Sequence, residues 1–242
     1  MNDTPLPYPA APAAGAARPR VVRPRDAASL ILLRGEGDDL EVLVGRRSLS
    51  ARFMPGVYVF PGGAIDPPDR VAWTIESGAE RLPPRLVGAA RAAIRETWEE
   101  VGVLIGRPAG TASGATAAKT PAKAPIEHAY RERGLTATLD QLTYVGRAIT
   151  PSHSFRRFNT RFFLGDGSLA FGEPAASPEL EDARWCRLEQ SMLDGFRDVT
   201  RFMLARAITI RQGTAAGAPP LFYWAKNARR IGVCREGEGE PG

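Results

Sequence analysis

The sequence has little cysteine: two residues, Cys186 and Cys234, in no Cys-x-x-Cys spacing. That excludes a disulfide framework and a cysteine-built zinc site, and it points to a reducing, cytoplasmic setting. No apolar run approaches the length of a membrane span, so no membrane partner is expected. The first residues lack the apolar core of a signal peptide; Met1 to Arg25 is rich in Pro and Ala with interspersed arginines. A stretch of that composition reads as a disordered tail, over about 1–24, or alternatively as an arm over a phosphate-bearing ligand or a partner subunit. Negative charge is in deficit too. The net charge is +5 and the pI about 9.6, which favours anionic partners: phosphorylated metabolites, nucleic acid or a membrane surface.

What is present suits one domain with insertions, or at most two, in 242 residues. The organising stretch is Arg95-Glu96-Thr97-Trp98-Glu99-Glu100-Val101-Gly102-Val103. On a helix, Glu96, Glu99 and Glu100 share one face, while Ala90, Ile94, Thr97 and Val101 form another that can pack on a sheet. Like charges at that spacing cost a few tenths of a kcal/mol per pair, roughly. A cation between the carboxylates removes the cost, and hard oxygen donors suit Mg²⁺ or Mn²⁺ better than zinc. Taken alone, the pattern is equally that of a solvated acidic helix face. Gly102 stands where a glycine C-cap is expected.

Upstream lie two further blocks. Phe60-Pro61-Gly62-Gly63 supplies glycines that let a backbone approach phosphate closely. Arg47 and Ser48 precede it, followed by Arg52 and Gly56. The helix stretch resembles the second half of the Nudix hydrolase signature, matched at Arg95, Glu96, Glu99, Glu100, Gly102 and Val103. The first half departs from it: Gly63 plus five residues reaches Asp69 rather than a glutamate, and Arg95 follows much later than the family spacing. The box is split by an insertion, about 69–85, in the manner of a branch that resembles the coenzyme A diphosphatases. The Arg47-Ser48…Arg52…Gly56…Phe60-Pro61-Gly62-Gly63 block is similar to the coenzyme A motif of Nudix enzymes. Val44 and Gly45 depart from that motif, and Arg47 and Arg52 read equally as surface charges.

The resemblance implies an α/β class with a Nudix α/β/α sandwich around a mixed central sheet over about 25–225. It also implies metal ligands at Glu96, Glu99, Glu100 and Gly62, and substrate contacts at Arg47, Ser48, Arg52, Phe60 and Gly63. Glu100 or Glu99 would take the proton from water, the two not being separable by sequence. Arg95 would aim a carboxylate within the helix. The implied activity is metal-dependent hydrolysis of a small-molecule diphosphate such as coenzyme A. ADP-ribose, NADH, nucleotide sugars and a non-catalytic nucleotide- or RNA-binding module are the alternatives.

Along the rest of the chain, Ala27–Leu33 and Leu40–Gly45 read as a hairpin, and the insertion as a lid or short helix. The segment 106–125 collapses to Ala, Gly, Thr, Pro and Lys and reads as a mobile linker. Thr143–Ile149 and Arg156–Leu164 read as strands, the second bringing two arginines, Arg156 and Arg157, beside aromatic residues to bind phosphate and stack a base, or to form a nucleic-acid patch. His153, between them, is a loop histidine of the kind most often solvated, with a ligand role as the alternative. Glu179–Trp185 reads as the last strand, with Glu179 or Glu181 as a further acidic residue at the site. Ser191–Gly195 is expected to begin one helix and Asp198–Arg211 to form an amphipathic one. The cluster Leu221-Phe222-Tyr223-Trp224 suits core or a homodimer contact, and 226–242 a polar tail.

Overall fold

The computed structural model describes residues 22–51, 54–110, 125–189, 193, 195–225 and 228–234. Thirteen strands and three helices lie among them. In chain order these are β1 (Arg25–Arg34), β2 (Glu41–Arg47), β3 (Tyr58–Val59), β4 (Gly62–Ala64), β5 (Glu76–Ser77) and α1 (Pro84–Val101). There follow β6 (Leu104–Pro108), α2 (Pro125–Glu132), β7 (Leu135–Thr138), β8 (Thr143–Ile149), β9 (Phe158–Asp166) and β10 (Ala170–Phe171). The chain closes with β11 (Leu180–Arg187), α3 (Asp198–Arg211), β12 (Pro220–Ala225) and β13 (Ala228–Val233).

The large sheet runs β11-β2-β1-β9-β8-β12-β13 and mixes parallel pairs (β1 with β9, β8 with β12) with antiparallel ones. Its central strand β1 is apolar without interruption from Leu30 to Leu33 because both of its faces are covered. Leu30 and Leu32 join the core under α1, whereas Ile31 and Leu33 join a second core that includes Met203, Leu204 and Ala207 of α3. Two helices on opposite faces of one mixed sheet make the α/β/α sandwich. No helix among the described residues is long and apolar enough to cross a membrane.

Helix α1 starts at a Pro83-Pro84 pair, whose fixed φ suits a first turn. It stops at Gly102, which takes φ 73° and donates its N–H to Trp98 O. A smaller sheet, β10-β6-β7-β5, lies beyond it. The buried Tyr130 of α2 ties down its strand β6: the hydroxyl donates to Ile105 O at 2.6 Å and accepts from Ile105 N at 3.2 Å.

Several expectations are corrected. Of the two readings of the insertion, short helix rather than lid matches its one-turn helices at Pro67–Arg70 and Ala79–Arg81. Asp69, Trp73 and Ile75 are buried, and β5 pairs with β7. The linker begins later than 106, because Gly106, Arg107 and Pro108 pair with β7 in the small sheet; residues 111–124 lie outside the described residues. Nor is β11 the last strand. Leu221 and Phe222 of β12 pair with β8, and β13 pairs with β12, so 228–233 is sheet rather than tail. The expected helix start at Ser191 falls largely outside the described residues.

Candidate functional site

The site is assembled where β1 and β2 part. They pair at Leu33↔Val42 and Arg34↔Glu41. Beyond that point the segment 58–64 fills the space between them, with β3 on β2 and β4 on β1. The turn between these short strands is pinned twice, because Leu30 N donates to Pro61 O at 3.0 Å and Ser29 Oγ at 2.9 Å. Gly62 is required by space, and Gly63 lets the Glu96 carboxyl lie against the turn. A Cβ on Gly62 would stand 2.4 Å from Ala28 O, and one on Gly63 would stand 2.5 Å from the Glu96 carboxyl. The Gly62 N–H donates to Glu100 Oε2 at 2.8 Å. The glycine turn and the acidic face of α1 are therefore in direct contact.

Arg95 holds the other side. Its Nε and Nη2 donate to the two carboxylate oxygens of Asp69 at 3.0 and 2.9 Å, and Nη2 also donates to Ala64 O at 2.9 Å. Its Nη1 reaches Glu99 Oε2 at 2.6 Å and Glu96 Oε1 at 3.0 Å. The Asp69 side chain is fully buried; a carboxylate so placed needs a matched donor, and the planar guanidinium fork supplies one. Asp66 N–H adds a bond to Asp69 at 2.8 Å. The residue that departs from the expected glutamate thus anchors Arg95. Burial lowers the Arg95 pKa, but Asp69, Glu96 and Glu99 outweigh it and raise it overall.

The carboxylates sit at the edge of ionisation. Burial pushes Glu96 up to about 7; Arg95 opposes the shift and Glu99 adds to it. Burial pushes Glu100 up to about 8, with the Gly62 N–H and Arg47 opposing and Glu96 and Glu179 adding. Glu99 is the most open of the three, its side chain 40% exposed. As they stand, no three acidic, histidine or cysteine side chains among the described residues gather closely enough to enclose an ion. Glu99 is turned toward Arg95, which it meets at 2.6 Å.

A cavity of about 200 Å³ adjoins this face. Its walls include Arg47, Phe60, Gly62, Gly63, Arg156 and Arg197, and most of the lining is apolar. Of the two acidic candidates near β11, Glu179 is the one whose charge acts on both Glu96 and Glu100. Glu181 pairs instead with Arg46 at 3.6 Å.

The structure thus brings together Glu96, Glu99, Glu100, Arg95 and Gly62, and places Arg47, Phe60 and Gly63 on the adjoining cavity. Ser48 is buried, bonded to Ser50 and not on the cavity wall. Arg157 is a correction: its guanidinium holds Thr150 O at 3.2 Å and Val22 O at 2.9 Å, so it braces backbone. Its neighbour Arg156 faces the cavity instead. Arg52 lies outside the described residues. Sequence reasoning missed the role of Asp69 and missed Arg197; of the two arginines it offered to phosphate, Arg156 is the one on the cavity wall. Asp69 had a signal, since it stands at the motif's spacing from Gly63. Arg197, at the start of α3, had none.

Known proteins resemble this chain in sequence and fold. A model of the NUDIX domain matches residues 23–206. A Caenorhabditis elegans protein, named provisionally as nudix hydrolase 7, is 33% identical over 168 residues, 66% of this chain and 50% of that protein. An acyl-coenzyme A diphosphatase of Gallus gallus is 31% identical over 134 residues, 38% of this chain and 35% of that protein. These matches span half or less of the curated relatives' own length. Among solved structures, a NUDIX hydrolase from Alicyclobacillus acidocaldarius superposes with a TM-score of 0.59 at 30% identity, covering 83% of this chain and 100% of that one.

Proposed function

The chain belongs to the NUDIX domain family, and on that premise we propose that it hydrolyses coenzyme A or an acyl derivative at the diphosphate. The products are a phosphopantetheine and 3′,5′-ADP. The observation that carries this reading is the cavity beside the carboxylates. It sets Arg47, Arg156 and Arg197 on largely apolar walls next to Gly62 and Gly63. Such a lining suits a ligand with several phosphates and an apolar or aromatic body. The Gallus gallus relative, named as an acyl-coenzyme A diphosphatase, supports the same substrate class.

The donors present fit a hard divalent cation, Mg²⁺ or Mn²⁺. Their side chains offer carboxylate oxygens, and two of them, Glu96 and Glu100, hold protons to near-neutral pH because burial disfavours the charged form, which a bound cation would stabilise. Glu96, Glu99 and Glu100 would hold the ion, which would neutralise diphosphate oxygens and acidify a bound water. The chain's own groups do the rest. The turn at Gly62 and Gly63 lets the diphosphate approach backbone, and the arginines hold its oxygens. Glu100, oriented by the Gly62 N–H and kept basic by Glu96 and Glu179, takes the proton of the attacking water. That oxygen bonds to one phosphorus, the bridging P–O bond breaks, and the departing phosphate keeps the bridging oxygen. Arg95 positions Glu99 and Glu96 from behind and touches no substrate.

The test is a panel of coenzyme A, acyl-coenzyme A, dephospho-coenzyme A, ADP-ribose, NADH and nucleotide sugars with Mg²⁺, products resolved by chromatography. The expected result is fastest cleavage of the coenzyme A group to 3′,5′-ADP. A clear preference for ADP-ribose would overturn the substrate, and no product from any compound would overturn hydrolysis.

A further inference from the structure

The opposite end of α1 carries a second charged cavity, of about 240 Å³, lined by Asp26, Arg70, Arg85, Arg91 and Arg161 with Gly88 and Ala89 of the helix. Two of the four arginines are satisfied. Arg91 grips Glu76 with two bonds of 2.7 and 2.6 Å, and Arg161 meets Asp26 at 3.1 Å. Arg70 and Arg85 are exposed and carry no ion pair among the described residues. The positive excess continues inward. Arg147 stands directly opposite Arg161 in the β8–β9 register and is 5% exposed, and its Nε has no hydrogen-bond partner among the described residues. A buried guanidinium nitrogen without an acceptor, next to a second arginine, is an arrangement that an anion stabilises.

The helix end adds to this field. No side chain caps α1 at Pro83, and its first turn holds no acidic residue although anions are favoured there. Gly88 lines the cavity on the helix side. The cavity is also separate from the carboxylate face. The Asp66–Asp69–Arg95 clamp stands between them, and Arg91 Nη1 holds the Asp69 carbonyl at 3.2 Å from the cavity side.

We propose that this cavity is an anion site distinct from the catalytic face, taking a small phosphate-type anion of two or more negative charges. Arg70 and Arg85 bind its oxygens at the mouth, and Arg161, with Arg147 behind it, supplies the field within. Because Arg91 both lines the cavity and holds the Asp69 backbone, an occupant bears on the clamp that aims Glu96 and Glu99.

The test is calorimetric titration of inorganic pyrophosphate into the full chain in excess EDTA, so that neither metal nor substrate takes part. Saturable binding is expected with a component that is weakened about tenfold or more in Arg70→Ala and in Arg85→Ala and retained in Arg47→Ala, which removes an arginine of the separate substrate cavity. Both cavity residues are exposed, so melting without ligand should match wild type, while the upward shift in melting temperature caused by pyrophosphate should shrink in each. Absence of saturable binding in the wild type overturns the proposal. So does loss of binding in Arg47→Ala with Arg70→Ala and Arg85→Ala unaffected, which would put the anion in the substrate cavity.

Discussion

At its first turn α1 presents Arg85 and no carboxylate; its last turn presents Glu99 and Glu100 and no cation, with Arg95 and Glu96 just before it. A helix favours the reverse, anions at the start and cations at the end, by about 0.3–1 kcal/mol per charge. Both ends are therefore charged against their own helix, and each adjoins a cavity. The ends differ in how the charge is managed. The acidic end is enclosed, with Glu100 5% exposed and bonded to the Gly62 N–H, and with Arg95 and Asp69 packed behind it. The basic end is open to solvent at Arg70 and Arg85. Enclosure shifts pKa values and suits chemistry, whereas openness suits reversible binding of an anion.

The sharpest break in this comparison comes from neutralising the enclosed end. Glu99→Gln or Glu100→Gln should lower kcat on coenzyme A by orders of magnitude, with the fold intact by circular dichroism, since an amide neither holds a cation well nor accepts a proton. Near-normal turnover in both variants at saturating Mg²⁺ would remove the acidic end from the chemistry. Next in size is the clamp. Asp69→Ala removes two charged bonds from Arg95, which keeps Glu96, Glu99 and Ala64 O, and should cost about 1.5–3 kcal/mol in urea unfolding. A loss under about 1 kcal/mol would mean that the pair is incidental.

A smaller effect separates the two cavities. Arg47→Ala should reduce kcat/KM for coenzyme A by about ten- to hundredfold, the value of one charged contact of about 1.5–3 kcal/mol. Dephospho-coenzyme A should be spared if Arg47 meets the 3′-phosphate; equal loss on both substrates would place Arg47 on the diphosphate. The smallest effect is on pH. Glu96 and Glu100 titrate near 7 and 8 in the folded protein, raised above the ordinary 4.5 by burial first. Between about 4.5 and 8 the folded state holds protons that the unfolded state has lost, so these groups make the metal-free protein less stable as pH rises through that window. The melting temperature in EDTA should fall across it. Added Mg²⁺ should raise that temperature more at pH 8 than at pH 5.5. A gain independent of pH would contradict ligation by these carboxylates.

Local pattern made much of this legible. The spacing of Glu96, Glu99 and Glu100, the stop at Gly102 and the paired glycines at 62 and 63 are all written within a few residues. Strand β8 is found at its expected bounds, and β9 begins two residues after the bound expected for it. What was not legible depends on contacts between distant segments. Asp69 reads as a break in the motif until the fold carries it across the insertion to Arg95. Strand β12 joins the sheet by parallel pairing with β8, some seventy residues upstream, and no local signal announces that. Arg156 and Arg157 differ by one position, and the bend just before β9 decides which of them reaches the cavity.

The central claim is that the acidic end of α1 holds a divalent cation. Calorimetric titration of Mn²⁺ into metal-free protein at pH 7.5 tests it most directly, with Glu100→Gln as the partner variant. Saturable binding with proton release in the wild type, weakened at least tenfold in the variant, is the predicted result. No binding in the wild type, or equal binding in the two proteins, would contradict it.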